Sequence, residues 1–313
     1  MTRRPVYLVG AGPGAPGLLT VRGREILSSA EVVLYDGLVG RGVLALIPRG
    51  AQKLRVAKGP RHRDRFPQSK INELLIQAAL AGKRVVRLKG GDALLFSRGG
   101  EEAQALRARG IPFEIVPGVP SALAGPAFAG IPLTERGFAS SVAIVTGRTS
   151  SSSHHPPVDW SALGRGADTL VILMGVARWK RIARDLLKSG RDPSTPVAAV
   201  RWATTARQRT TLFTLGEASR PTIEARLDSP SVLVVGATVV HAWRLNWYPR
   251  ETRWASPQFL KVVASARREF PSVDPKDRAR SRSAGARAPP ESSPTRRGTR
   301  HVRRHRHRPR SPR

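Results

Sequence analysis

Val85-Val-Arg-Leu-Lys-Gly-Gly-Asp-Ala-Leu-Leu-Phe-Ser-Arg-Gly-Gly-Glu-Glu102 is the stretch that decides the fold. Arg84 to Leu88 has the length and β-branched content of a buried strand, and it stops at Gly90-Gly91. Glu101 to Arg109 has helical character and is closed by Gly110. Two glycines after a strand expose backbone N–H and C=O groups at its carboxyl edge, where open α/β sheets bind ligands. Asp92, Arg98 and Glu101 sit in a short loop with glycine on both sides. A merely solvated loop does not need those glycines, so the loop reads as functional.

Outward from this stretch, strands and helices alternate. Upstream, Val6 to Val9 is an apolar run ending in Gly10-Ala-Gly-Pro-Gly14, Leu18 to Ser29 has helical spacing, and Glu31 to Tyr35 is a second strand. Ile71 to Ala81 is a helix closed by Gly82, and Phe113 to Val116 is a strand stopped by Pro117-Gly118. This order predicts an α/β sheet that is largely parallel. The pattern restarts after Gly118, with strands at Ser141–Thr146, Thr169–Met174, Pro196–Val200, Gln208–Thr214 and Ser231–Val235, and a helix at Arg178–Ser189. Three segments follow: an α/β domain over 5–118, a second over 119–248, and a basic Arg/Pro/Ser-rich tail over 249–313 that is expected to be mostly disordered. Within the tail, Phe259 to Phe270 is a candidate short helix.

Composition limits the chemistry. There is no cysteine, which excludes disulfides, thiolate catalysis and cysteine-ligated metals. No long uncharged apolar run predicts a membrane span, and no signal-peptide pattern opens the chain, so a cytoplasmic protein is expected. The formal net charge is +32; residues 251–313 hold 18 Lys/Arg against 5 Asp/Glu, so the body is basic as well. Such a surface suits an anionic partner: nucleic acid, anionic lipid or a polyanionic small molecule. Arginine predominates, which suits bidentate carboxylate or phosphate contacts, though it also follows from a GC-rich genome.

Individual residues read less sharply alone. The turn Gly10–Gly14 serves a nucleotide or simply a tight bend, because Ala15 breaks the Gly-x-Gly-x-x-Gly pattern. Asp36 at a strand end suits a catalytic or a turn-capping role, Lys58 is one lysine in a basic loop, and Met174 in an apolar run has the pattern of a core residue. His154 and His155 lie in a serine-rich loop without a third ligand, so no metal site is expected.

Taken in order, the motifs Val9-Gly-Ala-Gly-Pro-Gly14 with Leu18-Leu-Thr20, Leu34-Tyr-Asp36, Arg84-Val-Val-Arg-Leu-Lys-Gly-Gly-Asp92, Arg98-Gly-Gly-Glu-Glu102, Val116-Pro-Gly118, Gly130-Ile-Pro-Leu-Thr134 with Arg136, Thr146-Gly147, Met174-Gly175 and Leu245-Asn-Trp-Tyr248 resemble the uroporphyrinogen-III C-methyltransferases. These are tetrapyrrole methylases, which also occur as the methylating half of siroheme synthase. The resemblance implies two α/β domains with S-adenosyl-L-methionine in the cleft between them, the tetrapyrrole on the N-terminal side, and a homodimer. It implies methylation of uroporphyrinogen III at C2 and C7 to precorrin-2, without a metal, on a route to siroheme, cobalamin or haem d1. By the same resemblance Pro13, Gly90, Gly91, Asp92, Leu95, Pro120, Ser121, Met174 and Ala203 line the cofactor site. Asp36 matches the proton acceptor and Lys58 the proton donor; Arg98, Glu101 and Arg136 hold or steer the substrate, Arg98 also counting as catalytic.

The sequence departs from the family pattern at Ala93, Ser97, Pro120, Glu135, Arg148 and in the loop Lys58-Gly-Pro-Arg61. Those at Pro120, Glu135 and Arg148 support a second reading, a methylase of a different tetrapyrrole intermediate. The charge of the tail supports a third, an inactive scaffold making non-specific contact with nucleic acid.

Overall fold

Short apolar runs bounded by glycine and proline become the strands of two sheets. The structure, a computed structural model, describes residues 4–56, 66–148 and 157–269. The first sheet holds Val6–Gly10 (β1), Val32–Tyr35 (β2), Gln52–Arg55 (β3), Val85–Lys89 (β4) and Phe113–Val116 (β5), in the order β3-β2-β4-β1-β5. Every pairing in it is parallel, so each strand must be followed by a crossover. Described helices on these crossovers are Val21–Ser28 (α1), Arg41–Leu44 (α2), Gln68–Leu80 (α3) and Gly99–Ala108 (α4). The Thr20 hydroxyl starts α1 by accepting from Gly23 N at 3.1 Å. Ile26, Leu27, Val43 and Ile47 cover one face of the sheet. Ile71, Leu75, Ala103 and Leu106, from α3 and α4, cover the other.

After Ser121–Phe128 (α5), the second sheet is built from Val142–Thr146 (β6), Thr169–Leu173 (β7), Pro196–Arg201 (β8), Arg209–Thr214 (β9), Ser231–Val235 (β10) and Thr252–Ala255 (β11). Its order is β11-β9-β8-β10-β7-β6. The largely parallel reading holds for the first sheet, but here only β6–β7 and β9–β11 are parallel. Pairs β7–β10, β10–β8 and β8–β9 are antiparallel. The connection between β8 and β9 is too short for a crossover helix, which forces a hairpin. Trp160–Gly166 (α6), Trp179–Lys188 (α7) and Pro221–Glu224 (α8) lie on the face where Trp179, Ile182, Leu186, Phe213 and Ile223 are buried.

The opposite face packs on Ala122, Val239 and Val240 and on Phe259 and Val263 of Pro257–Glu269 (α9). Regular structure thus continues past Tyr248, where the sequence suggested a tail begins. β11 extends the sheet, and the expected helix near Phe259 forms as α9, anchored by a fully buried Phe259. Lys58, His154, His155 and residues 270–313 lie outside the described residues.

Candidate functional site

Three loops at the carboxyl edge of the first sheet are locked together by backbone contact. A Cβ on Gly10 would lie 2.6 Å from Gly118 Cα and 2.8 Å from Gly91 O, so β1, β4 and β5 converge where only glycine fits. Gly12 and Gly91, with φ of 71° and 74°, exchange backbone hydrogen bonds of 3.1 and 2.8 Å. Gly14 abuts Gly40, whose Cβ would fall 2.1 Å from Gly14 O. Gly90, beside Leu38 and Val39, completes the rim.

Asp92 braces this assembly. Its Oδ1 accepts from Leu94 N at 2.8 Å and Leu95 N at 2.9 Å, and its Oδ2 accepts from Gly118 N at 3.0 Å. Burial opposes the charge, but the N–H groups of Gly118, Leu94, Leu95 and Ala93 outweigh it and hold the carboxyl below the usual aspartate range. Both carboxylate oxygens are therefore engaged by the chain, a positioning role that the motif alone does not reveal. The loop then passes through left-handed residues Phe96 and Arg98, and the Ser97 hydroxyl donates to Ala93 O.

The second sheet meets this edge through α5 and the β8–β9 loop. Pro120 precedes α5, and a Cβ on Gly91 would have 3.7 Å to Pro120 Cα and 3.8 Å to Ser121 N. Deeper in α5, Gly125 packs against Val232 and Ala203. The β8–β9 loop holds Trp202 and Thr204 at positive φ, and Thr204 Oγ1 accepts from Ala15 N at 3.1 Å. Gln208 fixes the loop from within, accepting from Thr204 N. Pro13–Gly14 and Ala203 are thereby brought together, as are Gly91, Pro120 and Ser121. Met174, at the end of β7, has φ of 54° and is 48% exposed. The core reading of its apolar run is therefore corrected: β7 ends at Leu173, and the left-handed turn puts Met174 at the surface.

Under the rim lies a charge cluster that sequence reasoning missed. Arg87 and Lys89 alternate with Val86 and Leu88 along β4 and face α3 and α4. Arg87 donates to Asp36 Oδ1 at 2.6 Å and to Glu102 Oε1 at 3.0 Å, and Lys89 Nζ donates to Glu102 Oε2 at 2.9 Å. Lys89 and Glu102 are wholly buried, and the Asp36 side chain is 22% exposed. Burial works against the Arg87 charge, but Asp36 and Glu102 outweigh it and push its pKa up. Burial, then Arg87, pulls Lys89 below the lysine range despite Glu102. Two cations at i and i+2 in a central strand were the available signal.

The remaining predicted residues are more open. Arg98 and Glu101 form a bidentate pair of 2.7 and 2.6 Å at the start of α4. Their hydrogen bond raises the Arg98 pKa and lowers that of Glu101. Arg136 is exposed on a turn closed by Glu135 and Ala139. Its neighbour Glu135 faces His241, with Oε2 2.5 Å from Nε2. Burial, resisted by Glu135, lowers the His241 pKa.

This two-sheet α/β fold, with a glycine-lined edge facing the second sheet, belongs to a chain whose residues 5–219 match the family of tetrapyrrole (corrin/porphyrin) methylases, and the chain is a member of that family. Among its relatives, a uroporphyrinogen-III C-methyltransferase of Bacillus subtilis is 43% identical over 248 residues, covering 79% of this chain and 96% of that one. A siroheme synthase of Chromobacterium violaceum is 47% identical over 245 residues, and the chain spans about half of it, 52%. The uroporphyrin-III C-methyltransferase of Thermus thermophilus, solved with S-adenyl homocysteine, superposes with a TM-score of 0.65 at 42% identity, covering 75% of this chain and 99% of that one.

Proposed function

We propose that this chain transfers methyl groups from S-adenosyl-L-methionine to C2 and C7 of uroporphyrinogen III, giving precorrin-2 for siroheme or cobalamin synthesis. The observation that carries this reading is the convergence of Gly10–Gly14, Gly90–Asp92 and Pro120–Ser121 at one sheet edge, above Asp36 and beside Arg98 and Glu101. The near-complete coverage of the Bacillus subtilis enzyme supports the same substrate. The edge suits a nucleoside sulfonium: Gly90 and Gly91 carry no side chain to obstruct it, and a Cβ on Gly91 would still stand 3.7 Å from Pro120 Cα and 3.8 Å from Ser121 N. At the end of β7, Met174 adds an exposed apolar side chain.

S-adenosyl-L-methionine supplies a methyl group on a cationic sulfur, so transfer is a displacement by a ring carbon in which a C–C bond forms as the C–S bond breaks. The chain orients the reactants and takes up a proton. Pro13, Gly90, Gly91, Leu95, Pro120, Ser121, Met174 and Ala203 line the donor site, with Asp92 holding the loop. Asp36 is the proton acceptor and Lys58 the proton donor. Arg98 and Arg136 engage the substrate's carboxylates, Glu101 steering Arg98 through their ion pair. Division of labour at Gly118, a homodimer, a cytoplasmic location, independence from metal, and non-specific polyanion contact by the tail belong to the same proposal. Among the described residues no helix is long and apolar enough to cross a membrane.

The test is an anaerobic assay with S-adenosyl-L-methionine and enzymatically generated uroporphyrinogen III, read by product mass. A gain of two methyl groups is expected. Turnover of precorrin-2 without turnover of uroporphyrinogen III would assign the chain to a later intermediate, the reading motivated by Pro120, Glu135 and Arg148.

A further inference from the structure

We propose that Glu102 is a positioning residue for the methyl-transfer site, fixing from inside α4 the Arg87 guanidinium that grips one oxygen of Asp36. This rests on the reading of Asp36 as the proton acceptor. Glu102 has no exposed surface and cannot touch a substrate. It accepts from Arg87 Nε at 3.0 Å, Lys89 Nζ at 2.9 Å and Gln68 Nε2 at 3.2 Å. Arg87 is thus held at Nε, and again where its NH1 donates to Leu88 O at 3.2 Å. Its remaining terminal nitrogen reaches Asp36 Oδ1 at 2.6 Å. Among the described residues, Oδ2 of Asp36 has only a long approach from Gly90 N, 3.4 Å, and is the oxygen left for chemistry.

Stability alone is a poor reason for this cluster. A buried ion pair is often no better than well-packed apolar residues of similar volume. The side chain of Asp36 is 22% exposed, against at most 3% for Arg87, Lys89 and Glu102, so the network opens only at the rim. Its function is legible there: Glu102 and Lys89 set the net charge and the rotamer behind Asp36. Among the described residues, the groups that face it are Arg87 and Lys89 from β4, Glu102 from α4 and Gln68 from α3. The Arg98–Glu101 pair stands at the start of α4, its charges felt by Glu102 and Lys89.

Removing opposite charges must act in opposite directions. Glu102→Gln leaves excess positive charge behind Asp36, which disfavours protonation there. The acid limb of the kcat–pH profile should move down, on the order of one unit, the scale of a nearby charge. Lys89→Gln leaves excess negative charge and should move that limb up. KM for S-adenosyl-L-methionine should hold in both, and Glu102→Asp, which keeps the charge, should restore the wild-type limb. A merely structural role would lower the melting temperature without moving the limb. Unmoved limbs, or shifts in the same direction, would overturn the proposal. If only one variant folds, its limb decides by direction alone. If wild type transfers no methyl group to uroporphyrinogen III, the functional reading fails instead. The Asp36 carboxyl titration, followed by 13C NMR of aspartate-labelled protein with Asp36→Asn for assignment, must then still show the opposite displacements.

Discussion

Gly10→Ala and Gly91→Ala separate two reasons for glycine at one site. At Gly10 a methyl group would sit 2.6 Å from Gly118 Cα and N and 2.8 Å from Gly91 O. All three are backbone atoms, so no side chain can rotate away, and β1 and β5 must part at their carboxyl ends. Overpacking of a core costs about 1–3 kcal/mol and occasionally more; this geometry places Gly10→Ala at about 3 kcal/mol or above. At Gly91 the nearest atoms are 3.7 and 3.8 Å away, an ordinary contact, and the cost is conformational. A φ of 74° charges an L-residue about 1–2 kcal/mol. That methyl group would, however, point at Pro120 and Ser121. Urea unfolding should therefore rank Gly10→Ala as the less stable variant. Calorimetry with S-adenosyl homocysteine, on whatever folds, should show Gly91→Ala losing more affinity than its stability loss explains. Equal stability of the two variants, or full affinity in Gly91→Ala, would refute the distinction between interlock and ligand rim.

Three further outcomes follow from the same geometry. In Asp92→Asn an amide cannot accept from both Gly118 N and Leu94 N, so donor affinity should fall. Because the folded Asp92 pKa is lowered, its contribution to stability is present at neutral pH and is lost as pH falls through that lowered value; acid melts of Asp92→Asn should lack this loss. Arg98→Ala should leave stability within about 1 kcal/mol, since the pair with Glu101 is exposed, while raising KM for uroporphyrinogen III and sparing donor binding; an equal loss of donor affinity would contradict the assignment. Thr204→Val removes the acceptor for Ala15 N and should cost about 1 kcal/mol in urea unfolding, whereas Thr204→Ser should not.

The first sheet was legible because β1, β2, β4 and β5 are apolar runs bounded by turn residues; β5 lies at Phe113–Val116 in both readings. β3, Gln52-Lys-Leu-Arg55, is an edge strand without a buried residue, so periodicity carried no signal. α5 was hidden because Gly125 and Pro126 discourage a helix, yet the close approach of Gly125 to Val232 and Ala203 requires the absent side chain. At the site, the glycines and the residues around them were legible from motif order. Partners were not. Nothing local to Asp92 announces that Gly118 N will take its second oxygen, and nothing local to Arg87 and Lys89 names Glu102 as their counter-charge. Those are products of register between strand and helix.

The departures at Ala93, Ser97 and Pro120 are accommodated for one physical reason: the rim is made of backbone. Ala93 is fully buried, and its carbonyl is approached by Gly99, whose Cβ would lie 2.0 Å away, while the Ser97 hydroxyl donates to it. Two departures, Ala93 and Ser97, therefore meet in a single contact. Pro120 occupies an extended conformation, φ −73°, that suits its ring, and its carbonyl accepts from Leu123 N and Ala124 N at 3.1 Å to open α5. Its missing N–H lies just before the helix, where no intrahelical partner would receive it. Glu135 is turned to His241 rather than left as a free charge beside Arg136. Ala93, Ser97, Pro120 and Glu135 thus each change a side chain while leaving a glycine contact or a backbone hydrogen bond in place. The residues that could not change so cheaply, Gly10, Gly118, Asp92 and the buried Arg87–Glu102–Lys89 cluster, are those whose neighbours have no freedom to move.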